Sequence, residues 1–149
     1  MAGKKPRRSR SLTLGVLLIV LAGIWCIFKL SSGGGAHISG ATNEERVQYI
    51  ETFGWNAAPV PSSVEEVRIP SRFDEAYTQY NALQKEQGFD LMKYRACFAK
   101  KYTYEITNFD GADPVVPICA NLLVIDGEII GADISSSEAN GLVTVLAKK

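Results

Sequence analysis

The stretch ICANLLVIDGEIIGADI, residues 118–134, decides the fold. Two apolar runs rich in Ile, Leu and Val flank the pair Asp126 and Gly127. An Asp-Gly pair between such runs is a strong signal for a β-hairpin, because a tight two-residue turn needs positive φ at both central positions. The stretch therefore predicts two antiparallel strands joined by a short turn.

Both faces of this predicted hairpin are apolar. The expected cross-strand pairs, counted back from the turn, are Ile125 with Glu128, Val124 with Ile129, and Leu123 with Ile130. A hairpin that is apolar on both faces has to be covered on both. One face is expected to meet the helices. The other requires a second cover, such as residues 55–61, or forms a surface for a partner.

Two further strands are predicted upstream of the hairpin. In ACFAKKYTYEIT, residues 96–107, the alternation of side chains has the two-residue period of a half-buried strand. Its apolar face is formed by Phe98, Tyr102, Tyr104 and Ile106, with Lys100 as the exception. Residues 64–69, between Pro61 and Pro70, predict a short strand that suits a sheet edge.

A first helix is predicted in TNEERVQYIETFGW, residues 42–55. Thr42 or Asn43 supplies the N-cap, and Gly54 suits the left-handed conformation that ends a helix, after about ten residues. The apolar residues Val47, Ile50 and Phe53 fall on one stripe. Trp55, just beyond the helix, is expected to turn into the core.

A second and longer helix is predicted in SRFDEAYTQYNALQKEQGF, residues 71–89. Ser71 is the expected N-cap and Gly88 the expected end, which gives a helix of about 16 residues. Residues at helical spacing form an aromatic stripe that we expect to face the core, namely Phe73, Ala76, Tyr77, Tyr80, Leu83 and Gln84.

These elements together predict an α+β domain over residues 42–149. Two helices pack on an antiparallel sheet of about four strands. Residues 142–146 are compatible with a short further strand or with one helical turn, and the sequence leaves both open.

The N-terminus predicts a membrane anchor. Residues 1–10 carry five basic side chains and no acidic one, and residues 11–30 form an apolar run long enough to span a bilayer. A cleaved signal and a lipoprotein signal are the alternatives, but no small-residue cleavage site or correctly spaced cysteine lies within the run. The basic flank places the N-terminus in the cytoplasm and the domain outside the cell membrane.

A Gly- and Ser-rich segment, residues 31–41, is expected to be a flexible tether between anchor and domain. It contains His37, the single histidine, for which we therefore expect no catalytic or metal-binding role. Residues 31–149 hold ten basic and sixteen acidic side chains, a net charge of −6, which argues against binding to nucleic acid.

The cysteines predict no disulfide. If the strand at residues 98–107 pairs with the strand at residues 118–125, Cys97 and Cys119 lie some 30 Å apart, far beyond the roughly 7 Å that a bridge allows between Cα atoms. No cysteine pair has the spacing of a metal or redox motif.

The sequence offers little catalytic machinery, and we expect no catalytic residue, no cofactor and no metal site. Asp110 and Asp113 share a loop, but their spacing matches no calcium-binding loop. An enzyme would have to gather the carboxylates of Glu105, Glu128 and Asp133 into one pocket and raise a pKa there.

Four segments resemble a known bacterial family. They are EERVQYIETFGW, VEEVRIPSRFDEAYTQYNALQKEQGFDLMKY, KKYTYEITN and ANLLVIDGEIIGADI. Over residues 42–135 the chain is similar to the family catalogued as domain of unknown function 4830. The resemblance implies a small, membrane-anchored extracytoplasmic domain and supplies no activity, substrate or catalytic residue.

The sequence therefore favours a non-catalytic binding or interaction module at the cell envelope. Expected partners are membrane lipid, through residues 11–30, and a membrane or envelope protein or a second copy of the chain. The candidate contact residues, chosen as aromatics and loop residues, are Trp55, Tyr94, Phe109 and Asp113. The alternatives are an envelope enzyme that uses clustered carboxylates, and a self-associating subunit whose apolar face around Leu122, Val124 and Ile129 is bare.

Overall fold

A computed structural model describes most of the chain after the predicted anchor. The described residues are 37–110, 115–136, 138 and 141–147. The predicted cytoplasmic tail, membrane span and first part of the tether, residues 1–36, lie outside them, as does Asp113. Among the described residues, no helix combines the length and the apolar character needed to cross a membrane.

The domain is α+β, as predicted. The helices are α1 (Asn43–Glu51) and α2 (Glu75–Glu86), with a short 3₁₀ helix at Leu91–Tyr94. The strands are β1 (Ser63–Arg68), β2 (Phe98–Glu105), β3 (Ile118–Ile125), β4 (Glu128–Ser136) and β5 (Val143–Thr144). They form one antiparallel sheet in the order β1-β2-β3-β4-β5. The sheet has five strands instead of about four, because the segment left open between strand and helical turn pairs with β4 as β5.

The β3–β4 hairpin turns where the sequence predicts. Asp126 has φ 49° and Gly127 has φ 80°, the left-handed conformations that a two-residue hairpin turn requires. The two residue pairs nearest the turn form as predicted. The next pair differs, because Leu123 lies opposite Gly131 and not opposite Ile130. A β-bulge inserts the extra residue into β4 at this point.

Next to the bulge, a side chain at Gly131 would be crowded by its neighbours. A Cβ atom there would lie 3.2 Å from Oε1 of Gln84 and 3.2 Å from side-chain carbons of Leu123 and Leu91. Contacts this short are rare for real Cβ atoms, so the glycine allows α2 and the 3₁₀ helix to approach the sheet closely.

The two helices lie on opposite faces of the sheet, a point on which the structure differs from the prediction that one face meets both. On the side of Leu122, which we call the first face, α1 packs through Ile50, Val47, Tyr49 and Phe53. On the side of Leu123, the second face, α2 packs through Tyr77 and Tyr80, with Phe73 and Leu91 beside it. Trp55 adds to the cover of the first face, as expected for part of residues 55–61.

The cap of α1 is confirmed, whereas the cap of α2 is not. Thr42 caps α1 in a capping box with Glu45. The N-cap of α2 is Asp74 instead of Ser71, so the helix has 12 residues and not about 16. The Asp74 carboxylate accepts a hydrogen bond from the backbone N–H of Tyr77 at 2.8 Å. Asp is at least as favourable as Ser at an N-cap, so the helix can start at Asp74, three residues after the predicted cap.

The outer edge of β4 is covered by other parts of the chain. Near the turn, the N–H of Ile129 donates to the carbonyl of Ile38 at 2.8 Å, and the N–H of Gly40 donates to the carbonyl of Gly127 at 2.8 Å. Residues 38–41 therefore belong to the folded sheet edge, although the sequence predicts a flexible tether there. Beyond this point the edge is covered by side chains, and then by β5.

Two glutamine side chains, one within α2 and one at its C-cap, cover the middle of this edge. The side-chain amide of Gln84, fully buried, accepts from the N–H of Ala132 and donates to its carbonyl, both at 2.9 Å. Gln87 donates to the same carbonyl at 2.8 Å and accepts from the N–H of Leu146 at 2.9 Å. The two amides satisfy the backbone groups that a further strand would otherwise satisfy.

The prediction against a disulfide is confirmed. Cys97 and Cys119 are both free thiols, the first exposed and the second half-buried. Cys119 lies opposite Glu105 near the end of the β2–β3 ladder, whereas Cys97 precedes the start of β2.

The Gln84→Leu substitution tests the sealed edge. It leaves the buried N–H of Ala132 without its acceptor, so we expect the free energy of unfolding to fall by about 1–3 kcal/mol. Urea denaturation of the full chain measures this. Gln79→Leu, on the exposed side of the same helix, is the matched control and should change stability by less than about 0.5 kcal/mol. Equal effects of the two substitutions would contradict the assigned role.

Candidate functional site

The first face of the sheet is covered over β3, β4 and the end of β2, but it is open over β1 and the start of β2. Val64 is 52% exposed and Phe98 is 58% exposed. Tyr104 and Ile106 are buried and Tyr102 is half-buried, as predicted for this face of β2, so Phe98 is the exception. The prediction that Phe98 shares a buried stripe is wrong because α1 packs against the other half of the sheet.

A cleft of about 490 Å³ lies at this open half. The side of the cleft away from β1 is formed by residues 40–41 and by the hairpin turn, residues 125–127. Strands β1, β2 and β3 supply the remaining lining residues, which are Glu66, Phe98, Ala99, Lys100, Tyr102 and Val124. None of the lining residues is a His, Cys or Ser, so the cleft offers apolar and charged contact surface and backbone groups.

Arg46 holds one side of the cleft in place. Its Nη1 donates to the carbonyls of Gly40, at 2.6 Å, and Ala41, at 3.1 Å. Its Nε donates to the hydroxyl of Tyr104 at 2.9 Å, and its Cζ lies 3.7 Å from the centre of the Tyr102 ring. The side chain is only 6% exposed. One guanidinium thus ties residues 40–41 to α1 and to the floor of the cleft.

Charged side chains of both signs surround the cleft, since Glu66, Asp126 and Lys100 all line it. Lys100 lies opposite Glu66 in the sheet, and Arg68 lies opposite Phe98 with its Cζ 5.7 Å from that ring. The ion pairs of the described residues involve neither of these cations nor Arg46. Cations beside aromatic rings fit anionic or aromatic groups of a partner.

A second polar cluster lies on the second face and joins α2 to the sheet. Asp133 accepts hydrogen bonds from the hydroxyl of Tyr80 and from the amide of Asn121, both at 2.7 Å. The same amide donates to Ser135 at 2.8 Å, and Asn121 Oδ1 accepts from Thr103 at 2.9 Å. The side-chain groups of this cluster are satisfied by one another.

Burial shifts the ionisation of this cluster. Loss of water raises the pKa of the Asp133 carboxyl, and the hydrogen bonds from Tyr80 and Asn121 oppose the shift because they favour the ionised form. Burial also raises the pKa of the Tyr80 hydroxyl, and the neighbouring Asp133 charge adds to that rise. Burial thus disfavours the charged form of both groups.

The three carboxylates that the enzyme alternative requires do not converge. Asp133 is buried in the cluster just described, whereas Glu105 is exposed opposite Cys119. Glu128 lies beside the hairpin turn, 3.7 Å from His37. Five residues along β4 separate it from Asp133, a distance of roughly 16 Å.

The predicted contact residues fall at separate places. Trp55 is 7% exposed, and its indole N–H donates to the carbonyl of Leu146 at 2.6 Å, so it packs the interior. Phe109 is half-buried and stacks on Trp55 with ring centres 5.5 Å apart. Tyr94 is half-buried on the second face. Asp113 lies outside the described residues. None of the four lines the cleft.

The apolar face expected to be bare for self-association is covered. Leu122, Val124 and Ile129 are at most 6% exposed, because α1 and Trp55 pack over them. This part of the prediction is wrong. The sequence did not show which face of the sheet α1 would cover. In the structure α1 covers this one.

Sequence reasoning missed Arg46, Phe98 and Tyr102 as site residues. One signal was present, since Lys100 interrupts the apolar face of β2 and so indicates that this part of the face is not buried. Arg46 gave no comparable signal. An arginine in a helix usually points to solvent, and only the packing of residues 40–41 makes it a buried contact.

Comparison with known proteins identifies the family. A family described as "Domain of unknown function (DUF4830)" matches residues 49–134. The chain belongs to this family. The match begins inside α1 and ends in β4, so the DUF4830 region includes β1, β2 and β3 of the cleft and, of the second-face cluster, Tyr80, Asn121 and Asp133. Neither the curated proteins nor the solved structures contain a match to this chain.

The pKa of the Asp133 carboxyl provides a test of the second-face cluster. Its folded pKa is raised above the ordinary value of 3.8, so the folded state binds the proton more tightly than the unfolded state. The free energy of unfolding should therefore decrease as pH rises from that ordinary value through the raised one. Tyr80→Phe removes a hydrogen bond to the ionised form and should raise the pKa further.

Carbon-13 NMR titration of the Asp133 carboxyl measures both effects. Tyr49→Phe, on the helix of the other face, is the control and should leave the titration unchanged. A lower pKa in the Tyr80→Phe variant would show that this hydroxyl does not stabilise the carboxylate.

Proposed function

We propose that this DUF4830 domain is a non-catalytic binding module, held at the outer surface of the cell membrane by an N-terminal helix. The cleft on the first face is its binding site. The observation that carries the proposal is the open half of that face, where exposed Val64 and Phe98 adjoin a cleft of about 490 Å³ in an otherwise covered sheet. Exposed apolar groups next to a concave surface are typical of binding sites.

The rigidity of the cleft supports this proposal. Its floor consists of paired strands, and residues 40–41 are held by hydrogen bonds from Arg46 and from the backbone of Gly40 to Gly127. A site already held in its binding geometry loses little conformational entropy when a partner binds. Lys100 lines the cleft beside Glu66 and Asp126, so the site fits a partner that offers an anionic group to Lys100 and polar or cationic groups to the two carboxylates.

The location at the membrane rests on the sequence. Residues 11–30 form the apolar run and residues 1–10 carry the basic flank that orients it. The folded unit begins at His37. Only residues 31–36 separate it in the sequence from the apolar run, and this short separation favours a membrane or envelope protein as the partner.

Site-specific photocrosslinking in living cells tests the binding site. A photoreactive amino acid at Phe98 should capture a discrete partner, because this ring is exposed at the cleft. The same group at Gln79, exposed on α2, is the matched control and should not capture that partner. Adding Lys100→Glu should reduce capture from position 98 by roughly tenfold, because it reverses the charge that attracts the partner.

The same captured products from positions 98 and 79 would contradict the proposal, as would capture that Lys100→Glu leaves unchanged. Circular dichroism of each variant confirms that the domain is folded. Loss of capture then reports on the cleft and not on unfolding.

The exposed thiol of Cys97 tests the location independently. A membrane-impermeant maleimide added to intact cells should label the wild-type chain, because the domain lies outside. Cys97→Ser is the control and should remove this labelling, since Cys119 is half-buried and burial raises its thiol pKa. Labelling only after the membrane is permeabilised would place the domain in the cytoplasm.

A further inference from the structure

One edge of the sheet is covered by other parts of the chain, whereas the other edge is open. The outer edge of β4 is covered along its length by residues 38–40, by two glutamine amides and by β5. At the other edge, β1 pairs with β2 and with no further strand of the described residues. An edge strand presents unpaired N–H and C=O groups that can pair with another chain.

The hydrogen-bond pattern identifies these unpaired groups. In an antiparallel pair, residues alternate between those that bond to the neighbouring strand and those that point away from it. The N–H of Ile69 bonds to the carbonyl of Cys97, so the odd-numbered residues of β1 bond to β2. The backbone groups of Val64, Glu66 and Arg68 therefore point outward.

The side chains of these three residues lie on the first face, beside the cleft. Val64 lies opposite Tyr102, and Glu66 lies opposite Lys100. All three side chains are exposed. The edge thus combines outward backbone groups with one acidic and one basic side chain, two residues apart.

Charge decides how two such edges can pair. In a two-fold antiparallel pair, a residue at the centre faces itself, and outward residues must face outward residues. A centre at Glu65 or at Glu66 brings two carboxylates together, and a centre at Arg68 brings two guanidinium groups together. Like charges directly opposite each other are unfavourable.

A centre at Ser63 or Val64 avoids like charges but brings no opposite charges together. Among the residues of β1, only a centre at Val67 places opposite charges face to face. Glu66 then faces the partner's Arg68, and Arg68 faces the partner's Glu66, which gives two symmetry-related ion pairs. Within each pair, the two residues also form backbone N–H···O hydrogen bonds with each other, because the backbone groups of both point outward from β1. At the centre, the two Val67 side chains meet on the second face, where Val67 already packs against the core.

We propose that two copies of this chain pair through β1, antiparallel and centred on Val67, so that their sheets form one continuous sheet. The two-fold axis is then perpendicular to the sheet, and the two clefts open on the same side. The pairing goes beyond the proposed function, since it gives one assembly two identical sites. With this centre only residues 66–68 of the two β1 strands face one another, and so short an edge buries less surface than a stable dimer does. The pair therefore dissociates readily and forms at high local concentration.

Cysteine scanning tests the pairing and its centre. The full chain, with its three native cysteines replaced by serine, receives Glu65→Cys, Glu66→Cys, Val67→Cys or Arg68→Cys, one at a time. Mild oxidation and non-reducing electrophoresis measure the disulfide-linked dimer. A cysteine at the centre lies about 4.5 Å, Cα to Cα, from its copy, within the range of a disulfide. We expect most dimer from Val67→Cys.

A maximum at position 65, 66 or 68 would overturn the proposed centre, and equal low yields at all four positions would overturn the pairing itself. Charge reversal tests the ion pairs in a chain that keeps Val67. Arg68→Glu turns both attractions into repulsions and should reduce the dimer seen in sedimentation equilibrium by roughly tenfold. The double variant Glu66→Arg with Arg68→Glu should restore it, whereas Arg72→Glu, an exposed control beyond β1, should leave it unchanged.

Failure of the double variant to restore the dimer would overturn the register. The result is separable from the proposed function, because Lys100→Glu alters the cleft but faces no charged residue of the partner in this register. Capture from position 98 can therefore fail while the dimer persists, or persist while the dimer fails.

Discussion

The structure depends on one constraint, which is that the β3–β4 hairpin is apolar on both faces. Leu122 and Ile129 are buried on the first face, and Ile130 is buried on the second. Burying one such side chain contributes roughly 1.5–3 kcal/mol, so leaving either face open would be costly for a domain of this size. Each face therefore receives one helix. With both helices packed there, the first face of β1 and of the start of β2 has no cover, and the cleft lies at that boundary.

Buried polar side chains hold the neighbouring segments in place against this sheet. Gln84 closes the middle of the β4 edge, Arg46 fixes residues 40–41 beside the hairpin turn, and Asp133 joins α2 to the sheet through Tyr80. Each of these groups has hydrogen-bond partners within the chain, so its burial is compensated. Their effect is to fix positions, which keeps one edge sealed and leaves the other edge and the adjacent cleft available.

Local signals in the sequence predicted local structure, and contacts between distant residues were not predictable in the same way. The turn at Asp126 and Gly127 and the capping residue Thr42 depend on neighbours within a few positions, and they are confirmed. The bulge at Ile130 and the close approach of Gln84 to the neighbouring Gly131 involve residues far apart in the chain, and no periodicity encodes them. The exposure of Phe98 likewise depends on where α1 packs. Of the candidate site, the sequence showed only one sign, which is that the charged Lys100 interrupts the apolar face of its strand.

Residue-by-residue amide hydrogen exchange of the full chain, at low protein concentration, tests this account most directly. The account predicts slow exchange at Ala132, whose N–H is held by Gln84 on the sealed edge, and fast exchange at Glu66, whose N–H points outward from β1. Glu65 and Val67, bonded to β2, should exchange more slowly than Glu66. Exchange at Ala132 as fast as at Glu66 would contradict the account, because the chain would then not seal the hairpin that organises the fold.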